Sequence, residues 1–174
     1  MFTSLTDTNG DWVLTIVRIV LGVVLFAHGA QKLLGWFGGP GITATLHTFR
    51  DQLGIPVVFG GLAIAAEFFG GLGLIVGLFT RIAALSIATT MLVAMLMVHL
   101  RYGFFMNWFG NKAGHGIEYH RVVIALAIVL MVKGAGAFSV DLALSRDLPG
   151  STNFASRFLA ETKRVIADIK NDSD

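Results

Sequence analysis

Apolar residues fill four blocks of this chain, about 12–34, 57–79, 82–100 and 121–138, and polar residues gather between them. Each block is close to the roughly 20 mostly apolar residues that carry a helix across the hydrocarbon of a bilayer. None alternates with a period of two, and uninterrupted apolar runs of this length are helical. Inside hydrocarbon every backbone N–H and C=O must find a partner within the protein, which restricts spanning elements to helices or a closed barrel. The pattern therefore predicts an all-α fold, an integral membrane four-helix bundle. The competing reading is a soluble all-α core. With 55% hydrophobic and only 14% charged residues, the chain has too little polar surface to cover one.

The connections refine this topology. Only Thr80-Arg81 separates the second and third blocks, so those helices are antiparallel neighbours. The first connection opens with Gly35-Trp36-Phe37-Gly38-Gly39-Pro40-Gly41, whose glycine and proline density ends the first helix. Residues 42–53 then suit a short interfacial helix. The third connection carries Tyr102, Phe104, Phe105, Trp108 and Phe109, rings that favour the headgroup layer. After Leu148-Pro149-Gly150 the composition changes: Phe154, Phe158, Leu159, Val165, Ile166 and Ile169 recur at helical spacing among Arg157, Lys163, Arg164 and Lys170. That is the signature of an amphipathic helix for a membrane surface or a partner. The chain thus divides into a four-span domain, 1–148, and a basic amphipathic tail, 149–174. Residues 1–11 hold no Lys or Arg, and the first block carries Arg18, His28 and Lys32, unlike the core of a cleaved signal. Four crossings place both termini on one side. The tail's affinity for anionic lipid makes that side the cytoplasmic one.

Ionisable residues inside spans are costly and face the bundle interior. Arg18, Glu67 and Lys133 are such residues here. At about 100° per residue, Arg18, Gly22, Leu25, Gly29 and Lys32 form one stripe of the first helix, and Gly60, Ala63, Glu67 and Gly71 one stripe of the second. Small residues let two helix backbones approach closely. A buried carboxylate on that seam needs a cation, and an Arg18–Glu67 ion pair is the expected partnership. Lys133, near its helix end, is expected to snorkel to the interface.

The five histidines are distributed more informatively. His28 and His99 lie near helix exits, His47 in the first connection, and His115 and His120 just before the fourth helix. Four antiparallel crossings put all of them on the side opposite the termini, with Lys32, Asn107 and Glu118. His28, Lys32, His99, Asn107, Trp108, Glu118 and His120 are the candidate ligand-binding residues. Side-chain nitrogens and a carboxylate beneath aromatic rings suit a quinone headgroup, a metal or an anion. Histidine exchanges protons near neutral pH, as proton-coupled quinone chemistry requires. No tight metal-ligand spacing occurs, and the absence of cysteine excludes dithiol redox chemistry, thiolate metal sites and iron–sulfur ligation by this chain. No haem, flavin or metal site is identifiable. His28 before Trp36-Phe37-Gly38 and His99 before Trp108-Phe109-Gly110 also suggest that the two hairpins are copies of one unit.

These residues resemble the DoxX-like membrane proteins. The resemblance rests on Arg18-Ile19-Val20-Leu21-Gly22 and Phe26-Ala27-His28-Gly29-Ala30-Gln31-Lys32 in the first helix. It continues through Glu67-Phe68-Phe69-Gly70-Gly71 and Gly77-Leu78-Phe79-Thr80-Arg81. Gly103-Phe104-Phe105-Met106-Asn107-Trp108 and Gly116-Ile117-Glu118-Tyr119-His120 complete it, so that it covers about 12–138. The resemblance implies a compact four-helix protein of a bacterial or archaeal cytoplasmic membrane. The family is named for a subunit associated with terminal quinol oxidase and thiosulfate:quinone oxidoreductase activity, and some members join complexes that gather soluble redox enzymes against oxidative stress. The expected function is a subunit of a quinone-linked redox complex, with a lipid-accessible quinone site on the histidine side and electrons supplied by a partner protein. A non-catalytic anchor for soluble redox or stress-response enzymes is the alternative. A small-solute transporter gated by Arg18 and Glu67 is a further one, opposed by the lack of broken helices in corresponding halves. Self-association into a homo-oligomer is compatible with the sequence, and nothing in it points to nucleic acid.

Overall fold

The computed structural model describes Thr6, residues 8–147 and residues 162–164, and every element among them is helical. Apart from 162–164, the tail expected to be amphipathic lies outside the described residues. Helix α1 spans Trp12–Leu34. Asp11 starts it by accepting the amides of Val13 at 2.8 Å and Leu14 at 3.4 Å, relieving donors that a helix start leaves unpaired. Gly35, at φ 74°, ends it. After a tight turn at Trp36–Gly38 comes α2, Gly41–Leu53, the short helix the first connection predicts. Helix α3 covers Val57–Val76. Helix α4, Thr80–Ala94, runs on through a wide π turn, Met95–His99, and a narrow one, Leu100–Tyr102. Helices α5, Glu118–Lys133, and α6, Val140–Asp147, follow.

Among the described residues, three helices are long and apolar enough to cross a membrane: Trp12–Leu34, Val57–Val76 and Thr80–Tyr102. The fourth apolar block behaves differently. Its helix has 16 residues, about 24 Å, and both expected limits move: it begins at Glu118 and stops at Lys133, short of 138. The cause is Gly134-Ala135-Gly136. Gly134 at φ 87° and Gly136 at φ 75° take the backbone out of the helix. The carbonyls so released are used by α1, as described below. The two hairpins also differ as copies of one unit, because a helix fills the first connection and an irregular loop the third.

Helices α1 and α3 pack most closely, α3 continues onto α4 and α4 onto α5, while α1 and α5 meet over a shorter stretch. The α1–α3 seam is built on glycine. A Cβ at Gly29 would collide with the backbone of Glu67 and Phe68, and one at Gly71 with the backbone of Phe26. Leu21, Leu25, Leu74, Ile87, Met91, Val123 and Leu130 fill the space between the four long helices. Their outward faces are apolar as well: Val20 and Val23 on α1, Val58, Leu62 and Phe69 on α3, Leu85 and Leu96 on α4, and Val122 and Val132 on α5 are all exposed. An apolar belt around an apolar core is a surface made for lipid.

Candidate functional site

Polar chemistry concentrates at the two ends of the bundle, and the ends differ in kind. At the end nearer the termini, Arg18 is fully buried. Its Nε donates to Ala135 O at 3.0 Å, its Nη1 to Leu74 O at 2.5 Å and Ile75 O at 2.8 Å, and its Nη2 to Phe138 O at 3.0 Å. The expected Arg18–Glu67 pair is therefore not formed. The last turn of α3 has carbonyls without intrahelical partners, and the glycine exit from α5 turns further carbonyls inward. A planar guanidinium with five donors suits that set. Glu67 sits seven residues before Leu74, about 11 Å along α3 and away from this knot.

Asp141, on α6, complements Arg18. Buried to 1% exposure, it accepts the amides of Phe79 at 2.8 Å and Thr80 at 2.9 Å and so caps the start of α4 from a distant element. The α3–α4 turn is thus held on one side by Arg18 and on the other by Asp141. Thr15 Oγ1 donates to Ala137 O at 2.6 Å, and Thr8 Oγ1 accepts the Gly136 amide at 2.8 Å. Phe79 and Phe138 both lie at φ 48°, a conformation unfavourable for bulky side chains, and both are fixed by these bonds.

At the opposite end Glu67 finds its cation in Lys32. The Lys32 Nζ lies 2.5 Å from both carboxylate oxygens, with the Glu67 side chain 3% exposed. A run of rings borders this pair. His99 and His120 have ring centroids 4.1 Å apart, Tyr119 and His120 5.5 Å, and His28 and Tyr119 6.0 Å. Glu67 lies within electrostatic range of Tyr119, and Lys32 within range of His120. All four long helices contribute: α1 gives His28 and Lys32, α3 Glu67, the wide turn ending α4 His99, and α5 Tyr119 and His120. Wide turns of this kind recur at functional sites.

Burial grades across the cluster, from exposed His28 through half-buried Tyr119 to His120 at 6% exposure. Two buried polar atoms of this cluster, Tyr119 Oη and His120 Nδ1, make no hydrogen bond among the described residues, and at the other end Thr80 Oγ1 likewise has none. Buried polar atoms in proteins are almost always paired, and an unpaired one costs a few kcal/mol. His99 Nδ1 lies 2.8 Å from the His115 carbonyl, which can only accept. The neutral His99 ring therefore carries its proton on Nδ1 and leaves Nε2 as an acceptor.

The remaining candidates have other surroundings. Asn107 closes the loop on itself, donating to Lys112 O at 2.8 Å and accepting the Lys112 amide at 3.2 Å. Glu118 accepts the Met106 amide at 3.1 Å. Asn107 ties the 103–117 loop to itself and Glu118 ties it to α5, and neither joins the rings. Trp108 is 76% exposed at the loop's outer surface. His47 lies on α2, exposed, 3.4 Å from Asp51. The Asp51 carboxyl is held below its ordinary range by its bond to Arg50 and, secondarily, by that to His47. A cavity of about 280 Å³ opens beside them, lined by Ile42, Thr43, Leu46, His47, Arg50 and Val57, none of which is among the rings. Tyr119 was absent from the expected set. Its position beside His120 on a helix that faces the bundle was the available signal.

Fold and site together define a helical membrane protein with a cluster of ionisable and aromatic side chains, graded from exposed to buried, at one end. The chain belongs to the DoxX family, whose sequence model, described as DoxX, matches residues 13–100. It is similar to a Bacillus subtilis (strain 168) protein named "Putative oxidoreductase CatD", with 26% identity over 126 residues, covering 72% of this chain and 82% of that protein. It is also similar to the Escherichia coli (strain K12) protein named "Inner membrane protein YqjF", with 24% identity over 131 residues, covering 75% and 91%. No solved structure matches.

Proposed function

We propose that this protein is a membrane subunit of a quinone-linked redox complex and that its histidine-side cluster binds the quinone headgroup. The observation that carries the reading is the pair of buried, unpartnered polar atoms, Tyr119 Oη and His120 Nδ1, set among groups that exchange protons. A headgroup carbonyl accepts hydrogen bonds, and a headgroup hydroxyl both accepts and donates. Tyr119 donates in either case, and His120 presents a donor or an acceptor according to its tautomer. Lys32 and Glu67 hold opposite charges beside that position, and His28 and His99 flank it. Asn107 and Glu118 act one step back, by fixing the loop from which Trp108 projects. Electrons would come from a partner protein. The name of the Bacillus relative is in keeping with an oxidoreductase role. In this reading α5 is a fourth, shorter crossing, so that both termini share the cytoplasmic face of a bacterial or archaeal inner membrane.

A non-catalytic anchor that docks soluble enzymes is the second reading. It is favoured by the braced 103–117 loop, whose Trp108 and Phe109 are 76% and 90% exposed. Thermal unfolding with and without a short-tailed ubiquinone or menaquinone analogue separates the two. Ligand that binds the folded state alone, at 100 times its dissociation constant, stabilises by about 2.7 kcal/mol. Protection that disappears in His28→Ala and persists in His47→Ala supports the quinone site. No protection at any concentration leaves the anchor.

A further inference from the structure

Within the quinone reading, on which it rests, we infer that Tyr119 Oη and His120 Nδ1 jointly hold the polar head of a lipid-soluble ligand, which reaches them sideways from the bilayer between α1 and α5, past His28. The four seams around the bundle are unequal. The α1–α3 seam brings backbones together at Gly22, Gly29 and Gly71, where a single added Cβ would collide. Helices α3 and α4 are joined by a short capped turn, and α4 lies along α5. Helices α1 and α5 share the mid-span core through Leu21, Leu25, Val123 and Ala127, but their contact is the shortest of the four.

Towards the histidine end this last seam carries the ring pair His28–Tyr119, at 6.0 Å between centroids. The gradient of burial runs inward through the same seam: His28 is exposed, Tyr119 half-buried and His120 buried. The flanking outward positions, Val20 on α1 and Val122 on α5, are exposed and apolar. An apolar tail remaining in lipid would rest against them. From the loop side, hydrogen bonds from the amides of Gly116, Ile117 and Glu118 to residues 103–105, together with the His99–His115 bond, hold the chain over His99. The accessible approach is lateral, and the groups first met along it are an imidazole, a phenol and a second imidazole. They match a head with oxygen acceptors on a tail that never leaves hydrocarbon.

The test uses the full chain in lipid nanodiscs with a photoreactive azido-quinone bearing a prenyl tail. Saturable labelling on residues 24–31 and 118–126, displaced by unlabelled quinone, is expected. Tyr119→Phe removes a hydroxyl that has no partner among the described residues, so its ligand-free melting temperature should equal or exceed that of the wild type, with the quinone dissociation constant about tenfold higher. His28→Trp, which narrows the portal, should slow labelling several-fold. Saturable labelling at 42–57 or on the outer faces of α3 and α4 overturns the portal and leaves the quinone reading standing. Unchanged affinity in Tyr119→Phe, or a lowered ligand-free melting temperature, overturns the holding pair. Absence of saturable binding removes the quinone reading itself.

Discussion

Replacing Arg18 by Met should be among the most damaging single changes in this protein, and the structure says why. The guanidinium donates to four carbonyls contributed by the end of α3 and the 134–138 segment. Hydrogen bonds from a charged donor contribute about 1.5–3 kcal/mol each, and a buried acceptor left unpaired costs about 1–3 kcal/mol. These losses share one side chain and relax together, so their sum overstates the effect. A net loss of at least about 4 kcal/mol follows even if half the carbonyls find other partners, a large part of the 5–15 kcal/mol that stabilises a typical protein. For a chain of this length that is a fall of roughly 8–16 °C in melting temperature. Arg18→Lys should recover only part, because one ammonium cannot span carbonyls on both sides of a planar fork. The assay is thermal unfolding in mild detergent, followed by far-ultraviolet circular dichroism. A double-mutant cycle sharpens it: Arg18→Met and Glu67→Gln should be additive within about 0.5 kcal/mol, whereas Lys32→Met and Glu67→Gln should couple by more than about 1 kcal/mol, with the double variant recovering stability. An Arg18→Met protein as stable as the wild type, or strong Arg18–Glu67 coupling, would refute the carbonyl cage.

Two further outcomes follow from the packing. Asp141→Asn keeps one acceptor but turns an amide group towards a second donor, so it should lose about 1–2 kcal/mol and lower the melting temperature measurably, with no effect on quinone affinity. Gly29→Ala inserts a methyl group into the backbone of α3 and should cost about 1–3 kcal/mol, while Gly61→Ala, which meets nothing within 4 Å, should be neutral or slightly stabilising in the same melting assay.

Much of the architecture was legible in the chain because lipid sets a length requirement that few other environments impose. Blocks 12–34, 57–79 and 82–100 became helices near those limits, and the Gly22–Gly29 and Gly71 stripes became the α1–α3 seam. What failed was the partner of Arg18. Charge counting along stripes treats a carboxylate as the natural partner of a cation, but within a bilayer the carbonyls freed at helix ends compete for the same donors. Gly134-Ala135-Gly136 reads as a continuation of an apolar block. Only the folded chain shows that it leaves the helix and turns its oxygens towards α1. Tyr119 was missed for a related reason. In the first turn of α5, a rotation of one residue decides whether Glu118 or Tyr119 faces the interior, and the phenol faces it.

The contrast between the two ends separates structure from function more sharply than either end does alone. Arg18 and Asp141 direct their polar atoms to backbone groups that would otherwise be orphaned, so the reason for each lies inside the chain. Tyr119 and His120 hold buried polar atoms that satisfy nothing among the described residues, next to a charge pair that is already internally balanced. Groups that complete the fold should change stability when altered and leave binding untouched. Groups that complete nothing in the fold should do the reverse, since an unpartnered hydroxyl or ring nitrogen contributes no stability that its removal could lose. The two ends therefore predict opposite responses to equally conservative substitutions, Asp141→Asn lowering the melting temperature at constant affinity and Tyr119→Phe lowering affinity without lowering the melting temperature.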